Sequence, residues 1–304
     1  MSRRAAMAAA ALCMLVPALA RADSSEGGAF MLPGYGARAW GMAGAVIARV
    51  DDESAVDWNP AGLSLARRAA GLAYVELVPE SFVTQAQAVF VTPIGSAHVP
   101  DSGASRHAAG AMLSTLSADL GNGDTYRENH LRLAYAWCPQ PLVSFAFGGQ
   151  AFMSRSGVAD FDAWGTSVDM AARLAVTRKW SAAVVARNVF SRYSYNDDRD
   201  QHKDASYVVG LAREGIHGVG LEADMVYIHE GWHHALFGVE TDYLFGVLAL
   251  RGGASILSAG ETRNSFSFGA SALAANRLVL HYAATLDEDE AFGTMHRFSL
   301  AVRL

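Results

Sequence analysis

From Gly71 to Leu304 the chain alternates apolar and polar residues with a period of two, and this alternation limits the fold more than any other feature. Leu131, Leu133, Tyr135 and Trp137 fall on one face of a strand, with Arg132, Ala134 and Ala136 on the other. Val168, Met170, Ala172 and Leu174 oppose Asp169, Ala171 and Arg173 in the same way, as Phe266 and Phe268 oppose Ser265, Ser267 and Gly269. In the last strand Phe298, Leu300, Val302 and Leu304 stand against Arg297, Ser299, Ala301 and Arg303. A period of two belongs to strands. Beyond the first residues no segment approaches the roughly 18 apolar residues of a spanning helix; the best run, Tyr243–Leu250, is far too short. A membrane crossing by such a chain has to be a closed barrel, because lipid offers no partner to an open strand edge.

Fourteen candidate strands follow, near 71–78, 82–92, 106–117, 128–138, 142–154, 163–176, 180–190, 204–213, 217–228, 232–243, 246–257, 263–274, 277–286 and 292–304. Each has about the length of a transmembrane strand. An even count returns both chain ends to one side, the periplasm. The links then alternate: Cys138–Pro141, Thr177–Lys179, Arg213–His217 and Ala274–Arg277 are short, while Ala118–Arg127, Ser191–Lys203 and Asp287–Ala291 are longer or more acidic. Ile94–Ser105 breaks the rule, being long for a periplasmic turn. Abundant Gly and scarce Pro fit many strands joined by tight turns. Trp137, Trp164, Trp180, Tyr207, Tyr227 and Tyr243 lie near strand ends, where an aromatic belt sits. A soluble sandwich would turn the apolar face inward; here it is expected to face lipid.

Residues 1–22 read as a secretory signal peptide. Arg3 and Arg4 precede an apolar run from Ala5 to Ala20, and Ala20-Arg21-Ala22 supplies the cleavage site. Leu12 before Cys13 rules out a lipoprotein box. Cleavage leaves Cys138 alone, so no internal disulfide forms, and removal of three arginines takes the net charge from −6 to −9. A nucleic-acid partner, which demands basic surface, is excluded on that ground.

Between signal and barrel lies Gly34–Leu63, which alternates nowhere. Gly36, Ala37, Ala39, Gly41, Ala43, Gly44 and Ala45 are small, so this backbone can press against an enclosing wall. Asp51, Asp52 and Glu53 break the run, and Asn59-Pro60 reads as a helix start, with an Asn cap and Pro at the first helical position. The run GARAWGMAGA, the acidic DDESA and the ending WNPAGL resemble the N-terminal hatch of the long-chain fatty-acid transporter (FadL) family, on the branch that holds PorV-like and spirochaetal FadL-like proteins. The Asn59-Pro60-Ala61 triplet is the signature of that hatch. The final strand resembles the C-terminal signal read by the barrel-assembly machinery, with Leu304 in place of the usual Phe.

The expected architecture is all-β: a transmembrane antiparallel β-barrel of about 14 strands at 71–304, plugged by a helical or irregular hatch at 23–70. The hatch residues singled out are Gly41, Gly44, Asn59, Pro60 and Ala61. On the polar faces, Arg132, Asp169, Arg173, Glu222, Asp224, Glu240, Asp242, Arg251, His281, Arg297 and Arg303 are lumen-lining candidates. Either they steer a substrate headgroup or they form ion pairs that brace the wall and seat the hatch, and the need of buried charges for partners favours bracing.

His229-Glu230-Gly231-Trp232-His233 matches the H-E-x-x-H zinc signature, whose chemistry needs both histidines on one helical face. Alternating residues on both sides make it a hairpin turn instead. No catalytic set, metal or cofactor is expected, so the chain reads as a non-enzyme. Asp197, Asp198, Asp200 and Asp287–Glu290 are solvated loop tips.

The resemblance implies passive uptake of hydrophobic small molecules such as fatty acids across the outer membrane of a Gram-negative cell. The extracellular loops are shorter than those that build the family's capture groove. The alternative is a PorV-like adaptor for protein secretion or surface attachment, without small-molecule transport. Expected partners are outer-membrane lipid, a hydrophobic ligand and, for the adaptor, a secretion partner.

Overall fold

The computed structural model describes residues 34–78, 83–99, 103–121, 124–157, 162–195, 200–216, 218–228, 232–259, 261–274, 277–287 and 294–304. The signal-peptide reading and the residues His229–Gly231 lie outside this set.

Fourteen strands form the wall: β1 (Ala69–Val78), β2 (Val83–Pro93), β3 (His107–Gly121), β4 (Asp124–Gln140), β5 (Val143–Ser156), β6 (Ala163–Ala175), β7 (Trp180–Tyr195), β8 (Ser206–Ile216), β9 (Val219–Ile228), β10 (Trp232–Thr241), β11 (Leu248–Ala259), β12 (Glu261–Ala274), β13 (Leu278–Asp287) and β14 (Thr294–Arg303). Each is antiparallel to its neighbours, and β1 pairs with β14 from Ala69↔Arg303 to Glu76↔His296, which closes the barrel. Both ends of the wall therefore meet at one rim.

The alternation sorts residues by face. Leu72, Leu133, Phe147, Trp164, Phe268 and Phe298 are exposed on the outside. Their neighbours in sequence, such as Gly71, Ala134, Ala146, Gly148, Ser267 and Ser299, are buried inside. The apolar side chains cover the exterior and small or polar ones fill the interior, the inverse of a soluble protein. Of the aromatic residues at strand ends, Trp137, Trp164, Trp180 and Tyr227 are exposed as expected, whereas Tyr207 is buried.

The strand positions follow the sequence pattern, with departures at several ends. β3 runs to Gly121 and β4 starts at Asp124, so the stretch 118–127, expected as a longer link, is mostly ladder, paired from Ala118↔Tyr126 to Gly121↔Asp124. β1 begins at Ala69, two residues early. β7 extends to Tyr195 rather than ending near 190. The β10–β11 link is wider than expected, because Phe245 and Gly246 adopt positive φ of 55° and 73° and close a turn over 242–247. Asp242 falls in that turn and is exposed, so it is not a lumen residue.

Among its described residues, the long link after β2 holds no further strand of the wall. His98 and Ser105 form an isolated bridge, and Val99 and Ala104 pack with Cys138 and Leu65 across the rim where the chain ends meet. Backbone hydrogen bonds hold this segment together with that apolar contact: Val99 N–H to the Ala104 carbonyl at 2.8 Å, Arg106 N–H to that of Ala97 at 2.9 Å, and Ser105 N–H to that of Ser64 in the hatch at 2.7 Å.

Inside the same half of the barrel sits the hatch. It contains two single-turn helices, α1 (Ala37–Trp40) and α2 (Ala55–Trp58), and a 3₁₀ turn, Pro60–Ser64. Tyr35, Ile47, Ala48, Val56 and Leu63 pack against Val89, Met112, Ala134, Ala171 and Val185 of the wall in one core.

Candidate functional site: the hatch and its seat

Asn59 joins two parts of the hatch. Its Oδ1 accepts from the Ala61 N–H at 2.9 Å, capping the 3₁₀ turn, and its Nδ2 donates to the Ile47 carbonyl at 2.6 Å. Pro60 occupies the first position of that turn, where no N–H is required. Upstream, Asp57 Oδ2 accepts from the Tyr35 N–H at 2.7 Å and Trp58 Nε1 donates to the Tyr35 carbonyl at 2.8 Å. Trp40 meets Trp58 edge to face, 5.7 Å between centroids.

Two hatch glycines were singled out, and each has a geometric reason. Gly44 has φ +82°, and a Cβ there would lie 3.2 Å from the Trp58 ring. At Gly41 a Cβ would lie 3.0 Å from Gly269 Cα, so backbone rests on backbone. Sequence reasoning missed the other half of this fit, the glycines of the wall. A Cβ on Gly253 would reach 2.3 Å from Met42 C, one on Gly110 2.3 Å from Val56 Cγ2, and one on Gly210 2.5 Å from Ile47 Cγ1. Glycine inside a strand costs stability and marks a close backbone approach, which is the signal that could have found them.

Polar groups of the wall hold the hatch mainly by its backbone. Ser299 Oγ accepts from Ala37 N–H at 3.0 Å. Asp224 Oδ2 accepts from Val46 and Ile47 N–H at 2.9 and 3.2 Å, and Glu222 Oε1 from Ala48 N–H at 2.5 Å. Arg173 Nε and Ser181 Oγ donate to the Ala48 carbonyl, both at 2.9 Å. Arg132 Nη1 and Arg187 Nη2 donate to the carbonyls of Asp57 and Trp58, and Ser144 Oγ to that of Ala61.

Side-chain pairs are fewer. Arg38 forks onto Glu240 at 3.0 and 2.9 Å and reaches Asp51 and Asp52 at 2.8 and 2.6 Å. Arg251 Nε joins the same carboxylate at 2.6 Å, and its Nη1 donates to Ser271, which bonds His281. Arg132 pairs with Asp57 at 3.0 Å and Asp169 at 3.3 Å. Arg297 lies 4.0 Å above the Trp40 ring. Arg303 stands at the rim, where β14 ends. Of the eleven lumen candidates, then, nine line the interior around or just above the hatch, with Arg303 at the rim and Asp242 outside it.

Within the hatch the charges set each other's protonation. Burial would lift the Asp52 carboxyl, but the Arg38 charge and hydrogen bonds hold it below its ordinary value. Burial, reinforced by Asp52, pushes the neighbouring Glu53 up to about 8. Arg38 stays charged because Glu240, Asp52 and Asp51 outweigh its burial. The space left between hatch and wall by Arg38, Met42, Arg49 and Glu240 is about 10 Å³, room for one water at most.

No protein-family model matches the sequence, and no curated protein is similar to it. Solved structures are. The toluene transporter TodX of P. putida superimposes with a TM-score of 0.64 at 13% identity, covering 89% of this chain and 99% of that one. The toluene transporter TbuX of Ralstonia pickettii gives 0.63 at 15% identity over 90% and 98%. A FadL homologue of Pseudomonas aeruginosa gives 0.63 at 11% over 89% and 98%. The fold is the FadL-type channel fold. This likeness supports the FadL-like part of the hatch resemblance and leaves the PorV-like branch without support.

Two further features of this FadL-type barrel stand out. The ladder between β7 and β8 runs only from Trp180↔Arg213 to Arg187↔Ser206. Above it β7 bulges at Asn188, φ 54°, whose N–H turns inward to Asp169 Oδ1 at 2.9 Å. Opposite the bulge, residues 202–205 leave the ladder, and side chains bridge the gap: Ser191 Oγ bonds both N–H and C=O of Lys203 at 2.8 Å. Pairing resumes at Tyr193↔Gln201. The interruption lies just above the hatch, on the side where Arg187 meets Trp58. On the outer face of β1 and β12–β14, an apolar groove of about 500 Å³ is bordered by Leu72, Tyr74, Leu280, Tyr282, Phe298 and Leu300. Of the zinc-like motif only Trp232 and His233 are among the described residues, and both lie in β10.

Proposed function

We propose that this chain is an outer-membrane channel for the passive uptake of hydrophobic small molecules, exported by its signal peptide. The observation that carries the reading is the pairing of a sealed hatch with an interrupted wall immediately above it. A solute entering from the opposite mouth meets a plug held through its backbone, and in the adjacent β7–β8 seam side chains rather than a ladder span the gap. An apolar solute gains by leaving sideways into lipid, where its surface stays out of water. The fold it shares with two toluene transporters and a FadL homologue supports aromatic hydrocarbons and fatty acids as cargo.

The test is uptake of labelled toluene and labelled oleate by cells carrying wild type, Asn59→Ala, Gly44→Val or no copy. Wild type is expected to raise uptake of at least one label, and the hatch variants to change it while the barrel still assembles. Equal uptake in all four, with export of a surface protein lost in the deletion, would transfer the assignment to the adaptor.

A further inference from the structure

We propose that Glu222 and Asp224 of β9 share a single proton, and that this shared proton is a latch holding the hatch in the barrel. The two carboxyl groups point to the same face, two residues apart, and are only 4% and 3% exposed. Each spends one oxygen on the hatch: Glu222 Oε1 on Ala48 N–H, Asp224 Oδ2 on Val46 and Ile47 N–H. The remaining oxygens, Glu222 Oε2 and Asp224 Oδ1, have no other partner, and the two side chains lie within hydrogen-bond reach of each other.

Two ionised carboxylates in that arrangement would leave two buried acceptors unsatisfied and set like charges face to face. One proton between Oε2 and Oδ1 removes both defects at once. It also leaves the three hatch N–H bonds intact, because they fall on the outer oxygens.

The neighbouring cations do not do this work. Arg49 of the hatch is directed to Glu240 at 3.3 Å and Glu214 of β8 at 3.7 Å. Arg173 of β6 is spent on the Ala48 carbonyl, and Arg187 of β7 on the Trp58 carbonyl. Among the described residues no ion pair reaches either carboxylate. When the proton leaves, repulsion inside the pair opposes the geometry that holds Val46–Ala48, and the hatch loosens as pH rises.

The experiment is ion conductance of the purified full-length protein in planar lipid bilayers between pH 5 and pH 9. It reads leakage past the hatch, so it stands apart from any hydrocarbon uptake. Wild type is expected to be shut at pH 5 and to leak at least tenfold more at pH 9. Glu222→Gln and Asp224→Asn each put an amide N–H where the proton sits, and each is expected to abolish the part of the rise at pH 9 that Glu53→Gln leaves. The double variant must turn an amide N–H₂ against either its twin or a hatch N–H, and is expected to leak at every pH. Glu53→Gln is run alongside, because Glu53 is a buried acid of the hatch itself whose carboxyl burial pushes up to about 8. A flat wild-type profile would overturn the latch. So would single variants that leak like the double one, or a pH response abolished by Glu53→Gln with Glu222 and Asp224 intact.

Discussion

At Asn59 one side chain closes the 3₁₀ turn and ties it to Ile47, so its loss costs more than a cap alone. Asn59→Ala removes about 1 kcal/mol of capping and leaves the buried Ile47 carbonyl unpaired, a further ~1–3 kcal/mol. The barrel should assemble normally while protease cleaves the hatch at least tenfold faster. Cleavage at the wild-type rate would show that the wall alone fixes the hatch. Glu53 makes a second residue-level prediction. Below its ordinary value of 4.5 the seated and the loosened hatch both keep the proton. Between there and about 8 the loosened hatch gives it up while the seated one does not, so the seat weakens as pH rises, then levels off. Amide exchange in Tyr35–Ser64 should therefore speed up by at least about tenfold from pH 5 to pH 8 beyond its intrinsic rise, and Glu53→Gln should flatten much of that excess. Asn59 was legible in the sequence because a cap followed by Pro is a local signal. The second bond to Ile47, and the buried position of Glu53, depend on how the chain folds back twelve and more residues away, and no local pattern encodes that.

Among the elements, the fourteen strands were readable because each carries its own period of two, and only their ends slipped. β7 was cut short in the reading because two extra residues interrupt the ladder between Ala186 and Phe190, and beyond them Ser191, Arg192 and Ser194 are polar on both faces, so the apolar alternation fades although the faces keep their parity. The same bulge borders the seam proposed as the exit, and the pattern hid it. A disulfide joining Ser191→Cys to Lys203→Cys would replace the side-chain bridge across the β7–β8 gap by a covalent one. If apolar cargo leaves through that seam, hydrocarbon uptake should fall at least tenfold under oxidising conditions and recover on reduction, with ion leakage unchanged. Uptake indifferent to the redox state would place the exit elsewhere.

For the whole molecule, an exterior of Leu, Phe, Tyr and Trp around an interior of small and charged residues makes sense only with lipid outside. Leu133, exposed at mid-height on β4, is a direct probe. Leu133→Arg should cost about 2–4 kcal/mol of barrel stability, read as a lower temperature at which the unboiled, faster-migrating band is lost on gels. A cost near zero would mean that this face meets water. The lumen charges could be counted from the sequence but not paired, since Arg38 and Glu240 are brought together only by the hatch threading the closed wall. That threading has one more implication. The wall grips the hatch by its amides as well as by its buried side chains, and wall glycines clear the way for its path, so what the barrel recognises is a trace of backbone carrying a few anchors. A separate peptide following that trace, with its turn-forming residues and the buried Tyr35, Ile47, Val56 and Leu63 kept, should dock into a barrel that lacks its own, which makes the plug an exchangeable part.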